Sequence, residues 1–115
     1  MRDTTKSDKI KELGRKENLK INVLELDVDK EESIKTTIEK ILEQKQRIDI
    51  LVNNAGWGLW GCVEDVSVNE FKAQFDTNFF SIIRLIQEVA PTMRNQGHGT
   101  IVNISSVVGL SLIHI

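Results

Sequence analysis

The hydrophobic pattern of the chain begins with three short apolar runs that predict β-strands, at residues 21–26, 48–53 and 100–104. The middle run reads Ile-Asp-Ile-Leu-Val-Asn and is close to continuously apolar. Such a run is typical of a strand that is buried on both faces, as in a parallel sheet covered by helices.

Helical spacing fills the segment before the first strand and the first connection. Residues 7–17 predict a short polar helix with Ile10 and Leu13 facing inward. Asp29 with Glu32 resembles the start of a capping box for the next helix. That helix has one apolar stripe, formed by Ile34, Ile38, Ile41 and Leu42.

The second connection is long and also helical. Ser67 and Glu70 form a second capping-box pattern, and Pro91 is expected to kink or end the helix. Gly97 and Gly99 then open the loop to the third strand. Between these signals the apolar residues keep helical spacing, at Phe71, Phe75, Phe79, Ile82, Ile83, Ile86 and Val89. The order α-β-α-β-α-β predicts an α/β fold with a parallel sheet.

Composition narrows the class of protein. The 115 residues are enough for one small domain, and the net charge of −2 argues against binding to nucleic acid. No run approaches the roughly 18 apolar residues of a membrane span, so we expect no membrane partner. Cys62 is the only cysteine, and no Cys/His cluster indicates a metal site. We therefore expect a cytoplasmic protein without a metal.

Small polar residues and glycine follow each predicted strand. Asp27 follows the first, residues 53–56 (Asn-Asn-Ala-Gly) close the second, and Ser105 and Ser106 follow the third. In open parallel sheets ligands bind beyond the carboxyl ends of the strands. The pattern therefore predicts a binding site, although Asp and Asn also favour simple turns.

Four segments resemble the short-chain dehydrogenase/reductase family in both order and spacing. They are Leu-Asp-Val at 26–28, Asn-Asn-Ala-Gly at 53–56, Asp-Thr-Asn at 76–78 and Gly-Thr-Ile-Val-Asn-Ile-Ser-Ser at 99–106. The resemblance covers nearly all of residues 1–109. It implies a partial NAD(P)-binding, Rossmann-like domain, with three strands and three helices of a larger doubly wound parallel sheet. Residues 110–115 resemble translated sequencing-adapter sequence, and we expect them to be a non-native tail.

The resemblance implies a cofactor-binding set. Asp27 would accept a hydrogen bond from the adenine amino group, with the Val28 backbone beside it. Asn54 would contact the cofactor, while Ala55 and Gly56 would let the backbone approach its ribose. From the residues alone, Asp27 is a strand-end turn residue or a helix N-cap, and Asp29 could take that role instead.

The resemblance also implies two catalytic residues. Ser106 matches the family's serine, whose hydroxyl would hydrogen-bond the substrate carbonyl or alcohol oxygen. Asn78 matches an asparagine that interrupts the long helix and holds a water in a proton relay. Without the resemblance, Asn78 would be solvent-facing or locally bonded. Asn53 is expected to tie neighbouring strands together.

Two further features leave alternatives open. Arg2 matches the position where a basic residue pairs with the 2′-phosphate of NADP, so NADP is favoured over NAD; a solvated surface arginine is the alternative. Trp57 and Trp60 either line an apolar substrate pocket or pack under their own loop.

The resemblance implies a parent protein that interconverts a small-molecule alcohol and carbonyl by hydride transfer to or from NAD(P). The chain contains no tyrosine, so it lacks the family's catalytic Tyr-x-x-x-Lys, and it also lacks the Gly-rich phosphate loop. We therefore expect a central fragment that is inactive alone, from a parent that is a homo-oligomer. The alternative is a non-catalytic NAD(P)-binding or sensing protein.

Overall fold

A computed structural model of the chain describes residues 4–106. Arg2 and the tail at 110–115 lie outside the described residues. In chain order the described elements are a 3₁₀ turn at Thr4–Ser7, α1 at Asp8–Lys16, α2 at Glu31–Lys45, β1 at Ile50–Asn53, α3 at Val68–Phe75, a π-helical turn at Asp76–Phe80, α4 at Ser81–Gln96 and β2 at Thr100–Asn103.

The sheet of the described residues consists of β1 and β2 in parallel. Ile50 lies opposite Thr100, and Asn53 lies opposite Asn103. These strands are the second and third predicted runs, and the segment from α3 to α4 connects them. Because the strands are parallel, their carboxyl ends share one edge of the sheet.

The first predicted strand, at residues 21–26, does not form a strand in the described part of the chain. A strand needs a neighbour to complete its ladder of backbone hydrogen bonds, and no described segment supplies one. Leu26 nevertheless packs against the core. The carbonyl of Glu25 accepts a hydrogen bond from the Thr37 hydroxyl at 2.9 Å, so a side chain of α2 takes the place of a strand partner.

The hydrophobic core lies between the sheet and the pair α2 and α4. Its buried members are Val28, Ile34, Ile38, Leu85, Val89 and Met93. Leu51 of β1 and Ile101 of β2 pack against this cluster. Ile50 and Val52 point the other way and are 63% and 54% exposed. The prediction that this strand is buried on both faces is wrong for the described residues, because they cover only one face of the sheet.

The start of α2 differs from the predicted capping box. Lys30 is the residue that precedes the helix, and no side chain caps it. Asp29 instead donates its backbone N–H to Oδ1 of Asp27 at 3.3 Å. The Asp27 N–H in turn bonds Oγ of Ser33 at 2.9 Å. In this local turn the Asp29 N–H is already bonded, whereas a capping box would need it for the Glu32 side chain.

The first helix also differs from its prediction. It occupies Asp8–Lys16, close to the predicted bounds. However, Ile10 and Leu13, which were expected to face inward, are 41% and 58% exposed. The buried residue of α1 is Gly14, where a Cβ would lie only 2.8 Å from the side chain of Ile21. The helix therefore packs through its glycine rather than through its apolar pair.

The long helical connection begins as predicted and ends later. Ser67 and Glu70 form the capping box: Oγ of Ser67 accepts from the Glu70 N–H, and the Glu70 carboxylate accepts from the Ser67 N–H at 2.9 Å. The hydrogen bond that the Ser67 hydroxyl donates to the Glu70 carboxylate at 2.7 Å, and next the bond from the Ser67 N–H, lower the pKa of Glu70 below its ordinary value. Of the two predicted effects of Pro91, an end of the helix is wrong, because α4 continues to Gln96, and a kink stays a prediction. Pro91 is exposed, so water can reach the carbonyl that loses its usual donor. Gly97, with φ of 78°, ends the helix in the left-handed conformation.

Candidate functional site at the carboxyl ends of the strands

The carboxyl ends of β1 and β2 are joined by a side-chain hydrogen bond. Asn53 is buried, and its Nδ2 donates to Oδ1 of Asn103 at 2.8 Å. The N–H of Ile104 donates to the carbonyl of Asn53 at 2.9 Å. The prediction that Asn53 ties neighbouring strands is confirmed. The bond fixes the point from which both following loops leave the sheet.

Asn78 clasps the loop that follows β1. Its Nδ2 donates to the carbonyl of Trp57 at 2.8 Å, and its Oδ1 accepts from the N–H of Trp57 at 3.0 Å. Asn78 lies in the π-helical turn that interrupts the helical connection, as the resemblance implies. Such turns occur often at functional sites because the extra residue redirects side chains. The amide side chain is thus bonded to the backbone of this loop, although Asn78 is exposed.

Gly56 lies directly against this clasp. A Cβ at Gly56 would lie 3.2 Å from Oδ1 of Asn78. That distance is tight for a side-chain contact, so a larger residue would press on the clasp. Glycine therefore has a structural role here in addition to the expected approach to the cofactor ribose.

Trp57 is held by two other residues of the same helical segment. Its indole Nε1 donates to Oγ1 of Thr77 at 3.1 Å, and Nε2 of Gln74 donates to its carbonyl at 3.3 Å. The sequence reasoning missed Gln74 and Thr77. Their spacing from Asn78, at i−4 and i−1, is a signal that could have placed Gln74 on the same side as Asn78. Trp60 has a different setting: it is 73% exposed, and its ring lies beside Gly58.

Ser106 leaves the sheet at the same edge. It lies three residues beyond Asn103, as Gly56 lies three residues beyond the paired Asn53. Ser106, Asn54 and Ala55 are all exposed. The structure therefore brings the expected serine and the expected cofactor-binding loop to one edge of the sheet.

Asp27 and Val28 lie in the segment that precedes α2. The Asp27 side chain is 19% exposed, and its Oδ2 lies 3.7 Å from Nζ of Lys30. Its other carboxylate oxygen accepts from the N–H of Asp29. A carboxylate has about four acceptor positions, so these contacts fit both the turn and an adenine contact. Val28 is 8% exposed and belongs to the core, which leaves its backbone for any ligand.

The cofactor implied by the family fits this edge. The residues after β1 have an amide, a methyl group and a hydrogen as side chains, and all are exposed. The backbone of this loop is therefore open to a nucleotide, while the bonds from Asn78 to Trp57 hold its far end. Closely approachable backbone is what dinucleotide sites require.

A second polar cluster lies at the amino ends of the two strands. The guanidinium of Arg47 bonds the Asp49 carboxylate at 2.7 and 3.0 Å, and Nε2 of His98 lies 3.0 Å from Oδ1 of Asp49. Hydrogen bonding from Arg47 holds the pKa of Asp49 below its ordinary value. Gln96 clasps Ile48: its Oε1 accepts from the Ile48 N–H and its Nε2 donates to the Ile48 carbonyl, each at 2.9 Å.

Within residues 4–106, no three His, Cys, Asp or Glu side chains converge as they would around a metal ion. None of the helices in that range has the length and apolar character needed to cross a membrane.

The fold and the site define a parallel α/β protein with a candidate ligand-binding site at the carboxyl ends of its strands. The family model described as short chain dehydrogenase matches residues 2–114. The chain therefore belongs to the short-chain dehydrogenase family, and the predicted partial Rossmann-like fold is confirmed.

Relatives and a solved structure agree with this assignment. The chain is 38% identical over 91 residues to 3-ketodihydrosphingosine reductase of Bacteroides thetaiotaomicron, covering 79% of this chain and 34% of the relative. It is 40% identical over 111 residues to retinol dehydrogenase 8 of Homo sapiens, covering 88% and 35%. A metagenomic short-chain oxidoreductase solved in complex with NADP is 27% identical with a TM-score of 0.88, covering 95% of this chain and 50% of that structure. The chain thus spans about a third of the length of these curated relatives.

Proposed function

We propose that the whole protein containing this chain is an NAD(P)-dependent oxidoreductase that interconverts an alcohol and a carbonyl. The observation that carries the proposal is one edge of the sheet, where the loop clasped by Asn78 and the serine end of β2 lie together. The names of the two relatives, a reductase and a dehydrogenase, support the same reaction class.

The residues of this chain would hold the cofactor by its nucleotide. Asp27 accepts from the adenine amino group beside the Val28 backbone, and Asn54, Ala55 and Gly56 provide the backbone surface for the ribose. The bound cofactor supplies or accepts the hydride.

Ser106 and Asn78 would act on the substrate oxygen and its proton. The Ser106 hydroxyl hydrogen-bonds that oxygen and stabilises the charge that develops there. Asn78, fixed by its bonds to Trp57, supports a water in the proton relay. We expect a Tyr-x-x-x-Lys in the helix after Gly109. The i, i+4 spacing puts both side chains on one face, where the ammonium lowers the phenol pKa.

Replacement of Ser106 in the whole protein tests this function. Ser106→Ala should lower kcat for carbonyl reduction by about 10²–10³, as the loss of one oxyanion donor does. The Kd for NADP should hardly change, because the serine faces the substrate. The measurement is steady-state oxidation of NADPH together with a cofactor titration.

The neighbouring serine provides the matched control. Ser105→Ala removes the same hydroxyl one residue earlier and should leave kcat near that of the unaltered protein. Equal kcat for the Ser106→Ala and unaltered proteins would contradict the assignment. A gene without Tyr-x-x-x-Lys after Gly109 would contradict the enzyme proposal and favour a cofactor-sensing protein.

NADP is the proposed cofactor, on the strength of Arg2. Arg2→Asp would replace attraction to the 2′-phosphate with repulsion at close range. We expect the ratio of kcat/KM for NADPH over NADH to fall by about tenfold or more, the equivalent of about 1.4 kcal/mol. Arg15→Asp, on the exposed surface of α1, is the control for a general change in charge. An unchanged ratio in Arg2→Asp would show that Arg2 is a surface residue.

The proposal extends to the substrate, the oligomeric state and the compartment of the whole protein. The substrate is a small-molecule alcohol or carbonyl, and the protein is proposed to act in the cytoplasm as a homo-oligomer. An apolar surface on α3 and the π-helical turn supports self-association, since contiguous apolar surface is commonly covered by a partner. Its exposed members are Val68, Phe75, Phe79 and Phe80.

A further inference from the structure

Trp57 is fixed more firmly than an ordinary loop residue. Its backbone N–H and carbonyl both bond Asn78, at 3.0 and 2.8 Å. Its indole N–H bonds Oγ1 of Thr77 at 3.1 Å, and Thr77 is itself only 6% exposed. The backbone and the ring are therefore held at the same time by one helical segment.

The fixed indole still presents surface. Trp57 is 42% exposed, although its one polar atom is already bonded. The surface that remains is apolar, so covering it with an apolar group leaves no donor unpaired. The ring also loses little rotamer freedom when a ligand covers it, because its position is already set.

We propose that Trp57 is a specificity-determining residue whose ring forms a fixed apolar wall for the hydrocarbon part of the substrate, with Thr77 as its positioning residue. The inference rests on the proposed alcohol–carbonyl function. It adds the substrate class: carbonyl compounds or alcohols with a sizeable apolar group next to the reacting carbon.

The position of Trp57 in the site favours this role over simple packing. Trp57 directly follows Gly56, and the clasp that fixes it comes from Asn78. Its ring is therefore anchored to the same turn that supports the relay residue. Trp60 lies in the same loop but is 73% exposed and rests beside Gly58. It provides a matched control of the same residue type.

Chain-length discrimination in the whole protein tests the wall. The probes are 2-alkanones from 2-butanone to 2-decanone, reduced with saturating NADPH. Trp57→Ala should lower kcat/KM for 2-decanone by about tenfold or more, mainly through KM, since hydrophobic pocket contacts discriminate on this scale. The kcat/KM for 2-butanone should change by less than about threefold, because few methylenes reach the wall. Trp60→Ala should preserve the discrimination.

Substitution of Thr77 tests the anchor separately. Thr77→Val keeps the shape of the side chain but removes the acceptor for the indole N–H, so the ring is freed. KM for 2-decanone should rise while kcat for 2-butanone is retained. Thr77→Ser restores the hydroxyl and should restore KM. A structural role alone would give equal losses for both ketones in Thr77→Val.

A binding measurement makes the test independent of turnover. Trp57 and Trp60 are the only tryptophans of this chain. With NADP⁺ bound, the change in tryptophan emission on adding 2-decanone should be as large in Trp60→Phe as in the unaltered protein and smaller in Trp57→Phe, a comparison that holds whatever tryptophans the rest of the whole protein contains. Unchanged discrimination in Trp57→Ala, or no response of the Trp57 emission to any alkanone, overturns the inference. Failure of the proposed function has a separate sign, namely no NADPH oxidation by the unaltered protein.

Discussion

Two amide side chains clasp the backbone at opposite ends of β1, and they use the same pair of hydrogen bonds. Gln96 bonds both the N–H and the carbonyl of Ile48, just before the strand. Asn78 bonds both the N–H and the carbonyl of Trp57, just after it. Each clasp comes from the helical connection that leads to β2. Taken alone, the two interactions are alike in number, type and distance.

The surroundings of the two clasps differ. At the amino end, Arg47 donates to the Asp49 carboxylate, and Nε2 of His98 lies 3.0 Å from both residues, where it bonds one or the other according to its tautomer. At the carboxyl end, the exposed residues have small side chains, and the clasped residue presents half-covered aromatic surface. A hydrogen-bond pattern therefore does not identify a site. The direction of the strands does, because ligands of parallel sheets bind at the carboxyl edge.

Removal of each clasp in the whole protein tests the difference between the two ends most directly. Asn78→Ala and Gln96→Ala each lose both side-chain–backbone bonds of the clasp. We expect kcat to fall by about 10²-fold in Asn78→Ala, because proton transfer depends on positioned groups. We expect kcat to stay within about twofold in Gln96→Ala, because its edge takes no part in proton transfer. Steady-state kinetics with NADPH and one ketone measures both.

The pair controls for folding as well as for chemistry. Both variants should lose comparable stability, so lower stability cannot explain a difference in kcat. Equal kcat values for the two variants would show that both clasps are structural and would remove Asn78 from the relay.

The stability of the Gln96→Ala protein tests how much the clasp at the amino end of β1 contributes to the free energy of unfolding. Two hydrogen bonds of ordinary strength contribute about 1–2 kcal/mol together. Ile48 is half-buried, so its backbone groups regain water only in part, and the loss should fall in this range. Urea unfolding of the whole protein measures it. Gln96→Glu keeps the acceptor for the Ile48 N–H but places a carboxylate oxygen against the Ile48 carbonyl, so it should not recover the lost stability. A Gln96→Glu protein as stable as the unaltered one would contradict the clasp.

Much of the fold followed from local pattern. The strands Ile50–Asn53 and Thr100–Asn103 and the capping box of Ser67 and Glu70 were predictable, because apolar runs and caps act over a few residues. The first predicted strand was not, because a strand exists only through its neighbour. The inward facing of Ile10 and Leu13 also failed, since facing depends on what covers a helix.

The candidate site also has a part that the sequence predicts and a part that it does not. Motif and order predict Asn53 and Ser106 at the carboxyl ends of the strands and Asn78 in the long helical connection. The clasp of Trp57 by Asn78 and the anchor at Thr77 were not predictable, because they join residues 20 and 21 positions apart. Residue type and spacing show which groups are present, but only the packed structure shows which of them meet.

The smallest expected effect concerns the amino end. The pKa of Asp49 is lowered chiefly by its hydrogen bonds from Arg47. Because the folded pKa lies below the unfolded one, the pairing stabilises the fold above the ordinary carboxyl pKa and ceases to do so as the pH falls through the lowered value. The Tm advantage of the unaltered protein over Asp49→Asn should therefore be present near neutral pH and shrink below about pH 4. It should be modest and weaker at high salt, since the pair is exposed and screened. An advantage that grows as the pH falls would contradict the assigned direction of the Asp49 pKa shift.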